Sequence, residues 1–277
     1  METLDQIKKL SYNRLAVNIV RTFHIGNLLK YLYFQLCAPK NRRVELNFRG
    51  IKAVMAVNDF EDLRVAGTMF DKGDREEGKM LSPLIETLRK GDIAYDIGAN
   101  IGIHSIFMAK RVGEEGRIIA IEPEMLNYGA LIKNIGLNNL SNVTAIKVAL
   151  GDKIETGHLY LRRRIGRGAV SLIKSEDSNL CQDVEIMPGD ILVQDMKLSP
   201  PKAVKIDVEG YEYSVIKGLR KTLSQNICRI VCCEIHPNLL PGEITPKEIL
   251  NLLKSIGFNK IESYSRGNEI HAVCCKD

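Results

Sequence analysis

The stretch IAYDIGANIGIHS, Ile93–Ser105, reads as a short apolar strand, a glycine turn and the start of a helix. Gly98 and Gly102 permit a tight turn, and the helix that follows presents its free N–H groups to whatever lies beyond the strand end. The glycine spacing is GxxxG, not the GxGxxG that lets backbone press against a pyrophosphate. Asp96 precedes the first glycine by two residues, and Asn100 lies inside the turn. A carboxylate in this place suits a ligand with a cationic amino group and hydroxyls. Taken alone, the turn is also compatible with a plain β–α connection.

The same rhythm repeats outward. MLSPLIETLRK, before it, is an amphipathic helix stopped at Gly91. IGIHSIFMAKRVG is a helix ending at Gly113, with Lys110 and Arg111 where the helix dipole favours cations. GRIIAIEPE is a second strand, MLNYGALIKNIGLNN a second helix ended by Asn138 and Asn139, and NVTAIKVALGD a third strand and turn. Alternating units of this length predict an α/β fold, a mostly parallel sheet with helices on both faces. Ligands in such sheets bind beyond the carboxyl ends of the strands, where strand order reverses. Glu122 stands at the tip of the second strand, 26 residues after Asp96. A carboxylate there accepts hydrogen bonds from both hydroxyls of a ribose. Turn and carboxylate together point to an adenosine ligand without a diphosphate, and S-adenosylmethionine fits. The glycine spacing argues against a nicotinamide oxidoreductase.

VKIDVEGYE, Val204–Glu212, is a buried strand that ends in Asp207 and Glu209, with Glu212 opening the next helix. Glu212 is explained by the helix dipole, which stabilises acids in a first turn. RIVCCEIHP delivers Glu234 and His236 to the neighbouring strand tip. Two adjacent tips thus supply Asp207, Glu209, Glu234 and His236 to one cleft.

DIGANIG, IEPE, KIDVEGYEYSVIKG and CEIH, in that order, resemble the FkbM family of S-adenosylmethionine-dependent methyltransferases over about residues 75–275. The resemblance implies a class I methyltransferase (Rossmann-like) three-layer sandwich. Its seven-stranded sheet has the order 3-2-1-4-5-7-6, with strand seven antiparallel. IESYSRGNEIHAVCC fits the last two strands as a hairpin turning at Arg266-Gly267-Asn268. Members often carry a Leu-Asp-Asp run before strand four. Here MPGDILVQD keeps Asp190 without the pair, and Asp190 is given no chemical role. Asp96, Gly98, Asn100, Gly102 and Glu122 are the expected cofactor contacts, with Ile101, Pro123 and Ala149 beside them. His104 is expected to pack near the cofactor.

Asp207, Glu209 and His236 are the candidates for chemistry. Methyl transfer to a hydroxyl needs an aligned acceptor and a base, and His236 is the natural base near neutral pH. A divalent metal on Asp207, Glu209, Glu234 and His236 is the alternative, acidifying the hydroxyl. The metal-free version is preferred.

The front of the chain differs from the rest. The net charge is +5, but residues 1–60 carry +6. Residues 4–36 show helical spacing of apolar residues, and a hairpin follows with its turn at Arg49-Gly50. Residues 1–60 are read as a basic helical extension plus hairpin, serving as a lid or homodimer interface, and 61–277 as the methyltransferase domain. The apolar run Leu15–Leu36 is broken by polar residues and predicts no membrane span. No signal peptide is visible, and seven cysteines without a CxxC spacing predict reduced thiols and a cytoplasmic protein. The acceptor is expected to be a small molecule, sugar or glycan. Aromatics at 6% of residues and the near-neutral main domain do not favour nucleic acid. The cluster Arg162, Arg163, Arg164 and Arg167 would suit an anionic acceptor or a solvated loop. An RNA methyltransferase and a non-catalytic S-adenosylmethionine binder remain the rival readings.

Overall fold

A computed structural model describes residues 26–58, 77–162, 170–173 and 178–277. Helix α1 (Gly26–Cys37) leads to a hairpin, β1 (Arg43–Phe48) and β2 (Ile51–Ala56), which turns at Arg49-Gly50 as predicted. Then come α2 (Glu77–Thr87), β3 (Ile93–Ile97), α3 (Ile103–Val112), β4 (Arg117–Ile121), α4 (Met125–Leu137) and β5 (Val143–Ile146). An inserted group follows: β6 (Ala149–Gly151), β7 (Glu155–Arg162), β8 (Val170–Ser171), β9 (Ser178–Pro188) and α5 (Gly189–Asp195). The chain closes with β10 (Ala203–Asp207), α6 (Glu212–Gly218), α7 (Arg220–Ser224), β11 (Ile230–Ile235), α8 (Pro246–Ile256), β12 (Lys260–Arg266) and β13 (Glu269–Cys275).

The main sheet has seven strands in the order β12-β13-β11-β10-β3-β4-β5. Strands β3, β4, β5, β10 and β11 run parallel, and β13 pairs antiparallel with β11 and β12. Numbered along the sheet this is 3-2-1-4-5-7-6, the class I methyltransferase order. Strand order reverses between β3 and β10, so the ligand crevice lies beyond those two tips.

The strands are apolar on both faces because helices cover both. Ala94, Ile118, Ala203 and Ile230 point to α2 and α3, meeting Leu84, Leu88, Ile106 and Phe107. Tyr95, Ile119, Val204 and Val231 point to the other layer, meeting Val215, Ile216, Ile249 and Leu253 of α6 and α8. Helix α8 is closed at both ends, by a Thr245–Glu248 capping box and by Gly257 at φ 110°. The paired cysteines behave as predicted small hydrophobes: Cys232, Cys233 and Cys274 are buried and all described cysteines are free thiols.

The hairpin shares the first core, through Leu46, Phe48, Ala53 and Met55. Amide side chains of α4 serve the open backbone edge of β2. Asn138 accepts from Val54 N and donates to Val54 O, at 2.9 and 2.7 Å. Asn134 Oδ1 accepts from Ala56 N at 2.9 Å, while its Nδ2 donates to Ile101 O at 2.8 Å.

The run NVTAIKVALGD is two strands rather than one. Val143–Ile146 enters the main sheet, and Ala149–Gly151 enters a second sheet of order β6-β9-β7-β8. An apolar run does not disclose which sheet it pairs with, and the chain changes partner at Lys147-Val148. Among the described residues no helix is long and apolar enough to cross a membrane. The part of the predicted helical stretch up to residue 25, and Arg163, Arg164 and Arg167, lie outside the described residues; Arg162 ends β7.

Candidate active site

The β3–α3 turn is held by backbone. Gly98 and Ala99 donate to Ile121 O at 2.9 and 3.0 Å, which joins the tips of β3 and β4. Gly98 adopts φ 75°, and a Cβ there would lie 1.8 Å from the carbonyl oxygen of Asp207. Only glycine lets the tips of β3 and β10 approach this closely. Asn100 also takes a left-handed conformation, φ 51°, uncommon for a residue with a side chain. Its N–H donates to Glu122 Oε2 at 2.8 Å, and Glu124 N donates to Oε1 at 3.0 Å. Burial lifts the Glu122 carboxyl to about 7, against the lowering by those two N–H groups and Lys205. Each Glu122 oxygen accepts one backbone bond and keeps lone-pair capacity for another.

An open cleft lies beyond these tips. Gly98, Asn100, Glu122, Pro123 and Ala149 line it among apolar walls from Ile121, Val148, Leu159 and Leu172. Asn127 lines it too, 2% exposed, with Oδ1 lacking a hydrogen-bond partner. A buried amide oxygen facing a cavity fits a ligand that completes its bonding. Glu122 and Asn127 at one end and apolar walls around them fit an adenosine moiety.

Three expected contacts do not line the cavity. Asp96 is fully buried, accepts from Ser105 Oγ at 2.6 Å and lies 3.3 Å from Lys205 Nζ. Its carboxylate pairs with Lys205 from behind the turn. Ile101 is buried, with its carbonyl tied to Asn134. Gly102 caps α3 and backs onto Leu131. These residues shape the turn from behind.

The tips of β10 and β11 carry charge. Lys205 is buried in mid-strand; its Nζ donates to Gly98 O at 2.7 Å and sits 3.3 and 3.4 Å from Asp96 and Asp207. Burial works against the ammonium, but Asp207 and Asp96 outweigh it and hold its pKa above the usual range. Burial likewise raises Asp207, but Lys205, then His236 and His104, bring it below the usual carboxylate range. Glu209 and Gly210 both take positive φ, 53° and 101°. A Cβ on Gly210 would lie 2.5 Å from Leu239 O, so the glycine seats this loop against the turn after β11. Ser171 of the inserted sheet donates to Glu209 O at 2.6 Å.

His236 meets this loop from β11. Its Nδ1 is 2.8 Å from Glu212 Oε1, and Nε2 is 3.7, 3.7 and 3.9 Å from Glu209, Glu234 and Asp207. Burial lowers the imidazole pKa, but the Glu212 bond, then Asp207 and Glu209, push it up to about 10. The surrounding carboxylates thus favour the charged form of the imidazole. The expectation for Glu212 is corrected. It is fully buried, accepting from Gly210 N at 2.9 Å and facing His236, so the helix dipole alone does not account for it.

The domain model named Methyltransferase FkbM domain matches residues 96–260. The chain belongs to the FkbM methyltransferase family. Its donor class is S-adenosylmethionine. Among its relatives, a hexuronic acid methyltransferase of Haloferax volcanii is 26% identical over 172 residues, 62% of this chain and 67% of that one. Methyltransferase sdnD of Sordaria araneosa is 29% identical over 165 residues, 49% of this chain and 63% of that one. The solved FkbM methyltransferase of Methylobacillus flagellatus superposes with a TM-score of 0.45 at 16% identity, covering 71% of this chain and 51% of that one. The chain thus spans about two thirds of those two relatives and half of the solved FkbM protein.

Lys205, Asn127 and the Glu212–His236 pair escaped the sequence reading. A lysine between Val204 and Ile206 in an apolar strand was the available signal, because a buried ammonium requires carboxylate partners. Asn127, inside an amphipathic helix, gave no such signal. Asp190 does hold a structural post in this FkbM protein: it accepts from Lys221 N, Thr222 N and Thr222 Oγ1, joining α5 to α7.

Proposed function

We propose that this FkbM methyltransferase transfers a methyl group to a hydroxyl oxygen of a sugar or glycan, with uronic-acid glycans the first class to examine. The observation that carries the reading is the placement of Asp207 and Glu209 on the cavity edged by Glu122, with Glu234 and His236 beside them. S-adenosylmethionine, when bound, supplies a methyl group on a sulfonium: an O–C bond forms, the S–C bond breaks, and sulfur keeps the electron pair. Glu122 holds the ribose, and Asn127 closes the adenosine end. Lys205 fixes the glycine turn against Asp207, so the donor and acceptor walls are held at one spacing. In this reading Asp207, Glu209 and His236 together align the acceptor hydroxyl and favour the loss of its proton. The uronic class is supported by the Haloferax relative, a hexuronic acid methyltransferase.

Residues 1–60 are proposed to act through their helical part, as a lid or an interface between two copies, with 61–277 as the catalytic domain. Exposed Tyr31, Leu32 and Leu36 on α1 support the interface use.

The test is transfer of labelled methyl from S-adenosylmethionine to uronic-acid glycans, neutral glycans and RNA. Alkali-stable label on a glycan is the expected result. Alkali-labile label would put the methyl on a carboxylate, and label on RNA alone would mark a nucleic-acid enzyme; either overturns the hydroxyl reading. Saturable S-adenosylmethionine binding with no transfer to any acceptor class would favour a non-catalytic binder.

A further inference from the structure

The imidazole of His236 is 5% exposed and has its two nitrogens in different surroundings. Nδ1 is committed to Glu212 Oε1 at 2.8 Å, and Glu212 is itself fixed by Gly210 N. Nε2 makes no hydrogen bond among the described residues. It faces carboxylate oxygens of Glu209, Glu234 and Asp207 at 3.7–3.9 Å, which is too long for hydrogen bonds. An imidazole oriented by a carboxylate on one nitrogen, with the other turned into a group of carboxylates, is the arrangement that holds metal ligands in place. The ligand atoms of Asp207, Glu209 and His236 all lie within 4.8 Å of one another. Bond lengths of about 2.0–2.6 Å to one central cation produce separations of that size. The donors come from three places: the end of β10, the loop after it and the end of β11. Backbone holds Glu209, which sits at positive φ with its carbonyl bound by Ser171.

We propose that Asp207, Glu209 and His236 form a site for one divalent cation of the Mg²⁺ or Mn²⁺ class, with Glu212 as the residue that orients the imidazole. Two carboxylates and one imidazole suit such a cation, and the remaining positions would go to water or to an incoming oxygen. Glu234 stands beside them and is also 3.2 Å from His271 Nε2, which makes it a neighbour rather than a required ligand. The site adjoins the cavity through Asp207 and Glu209. Its use in catalysis rests on the methyl-transfer reading: the acceptor oxygen would take an open position, where the cation makes its proton easier to lose. The proton then passes to water, and no redox partner is needed. This reverses the sequence-level preference for a metal-free site, and the reason is the fixed geometry of His236.

Mn²⁺ binding to the full chain tests the site without an acceptor. Electron paramagnetic resonance and calorimetry are expected to find one saturable Mn²⁺ per chain, competed by Mg²⁺, with an unfolding midpoint that rises with Mn²⁺ and falls back with chelator. Asp207→Asn and His236→Ala should abolish binding. Glu212→Gln should weaken it about tenfold or more, as loss of an orienting partner does. S-adenosylmethionine affinity is read in parallel on every variant, and circular dichroism shows that each is folded. If His236→Ala fails to fold, Asp207→Asn and Glu209→Gln, near-isosteric and at the cavity edge, carry the test. A folded chain that binds S-adenosylmethionine but no Mn²⁺ overturns the cation site and leaves the methyltransferase reading standing. Mn²⁺ binding that survives all of these substitutions also overturns it. A chain that binds Mn²⁺ at these residues but not S-adenosylmethionine keeps the site and removes its catalytic role.

Discussion

The two walls of the cleft are built by different means. The donor wall, at the tips of β3 and β4, is made of backbone: a glycine turn, a left-handed Asn100, and a carboxylate whose oxygens are held by N–H groups. The acceptor wall, at the tips of β10 and β11, is made of charge: Asp207, Glu209, Glu234 and His236 around one point. Both walls join the tips of paired strands, but backbone hydrogen bonds fix the donor wall across β3 and β4, whereas the acceptor wall depends on side-chain charges that β10 and β11 bring together. Lys205 belongs to both, bonded to Gly98 O on one side and Asp207 on the other.

Breaking that shared post should have the largest effect. Lys205→Met leaves Asp96 and Asp207 without their cation, and unpairing a buried ion destabilises by about 3–5 kcal/mol. The unfolding midpoint should fall by roughly 10 °C, and S-adenosylmethionine affinity should fall with it. A variant with unchanged melting would show that the two walls stand independently.

Gly98→Ala comes next, aimed at the donor wall. The added Cβ meets Asp207 O at 1.8 Å, so the strand tips must part. Overpacking of this kind destabilises by about 1–3 kcal/mol. Calorimetry should find S-adenosylmethionine binding lost. Retained binding would mean that the turn can reshape without the glycine.

Glu122→Gln separates charge from shape at the same wall. Hydrogen bonds to a charged group contribute about 1.5–3 kcal/mol, so affinity should fall about tenfold or more. The Glu122 carboxyl is raised to about 7 by burial, and ribose hydroxyls donate to the ionised form. Affinity of the unmodified chain should therefore fall as pH drops below about 7. Stability has the opposite sign. A carboxyl with a raised pKa contributes fully below its unfolded value and loses that contribution as pH rises through 7. The ligand-free chain should thus weaken over the window in which binding improves, and the variant should flatten both trends. A pH-independent affinity in the unmodified chain would rule Glu122 out as the titrating contact.

Asn134→Ala should have the smallest effect on function. It removes the link from the hairpin and α4 to Ile101 O, leaving Ala56 N and Ile101 O unpaired. A loss of about 1–3 kcal/mol is expected from buried unpaired groups. S-adenosylmethionine affinity should change only a few-fold. A large loss of binding would show that the hairpin props the glycine turn.

The strand–turn–helix alternation was legible because each unit announces itself over a few neighbouring residues, in apolar period and in glycine. Gly98, Asn100, Glu122, Pro123 and Ala149 could be named in advance as tip residues, and all five line the cavity. The sequence by itself determined the doubly covered sheet, its closing hairpin at Arg266-Gly267-Asn268 and the strand tips that carry acids. Tertiary structure alone decided the rest. It split NVTAIKVALGD between two sheets, hid Asp96 behind Lys205, and turned Glu212 from a helix-end acid into the partner of His236. It also set His236 among the carboxylates of Asp207, Glu209 and Glu234. These outcomes depend on which charges share a buried space, and residues far apart in the chain meet there only through strand pairing.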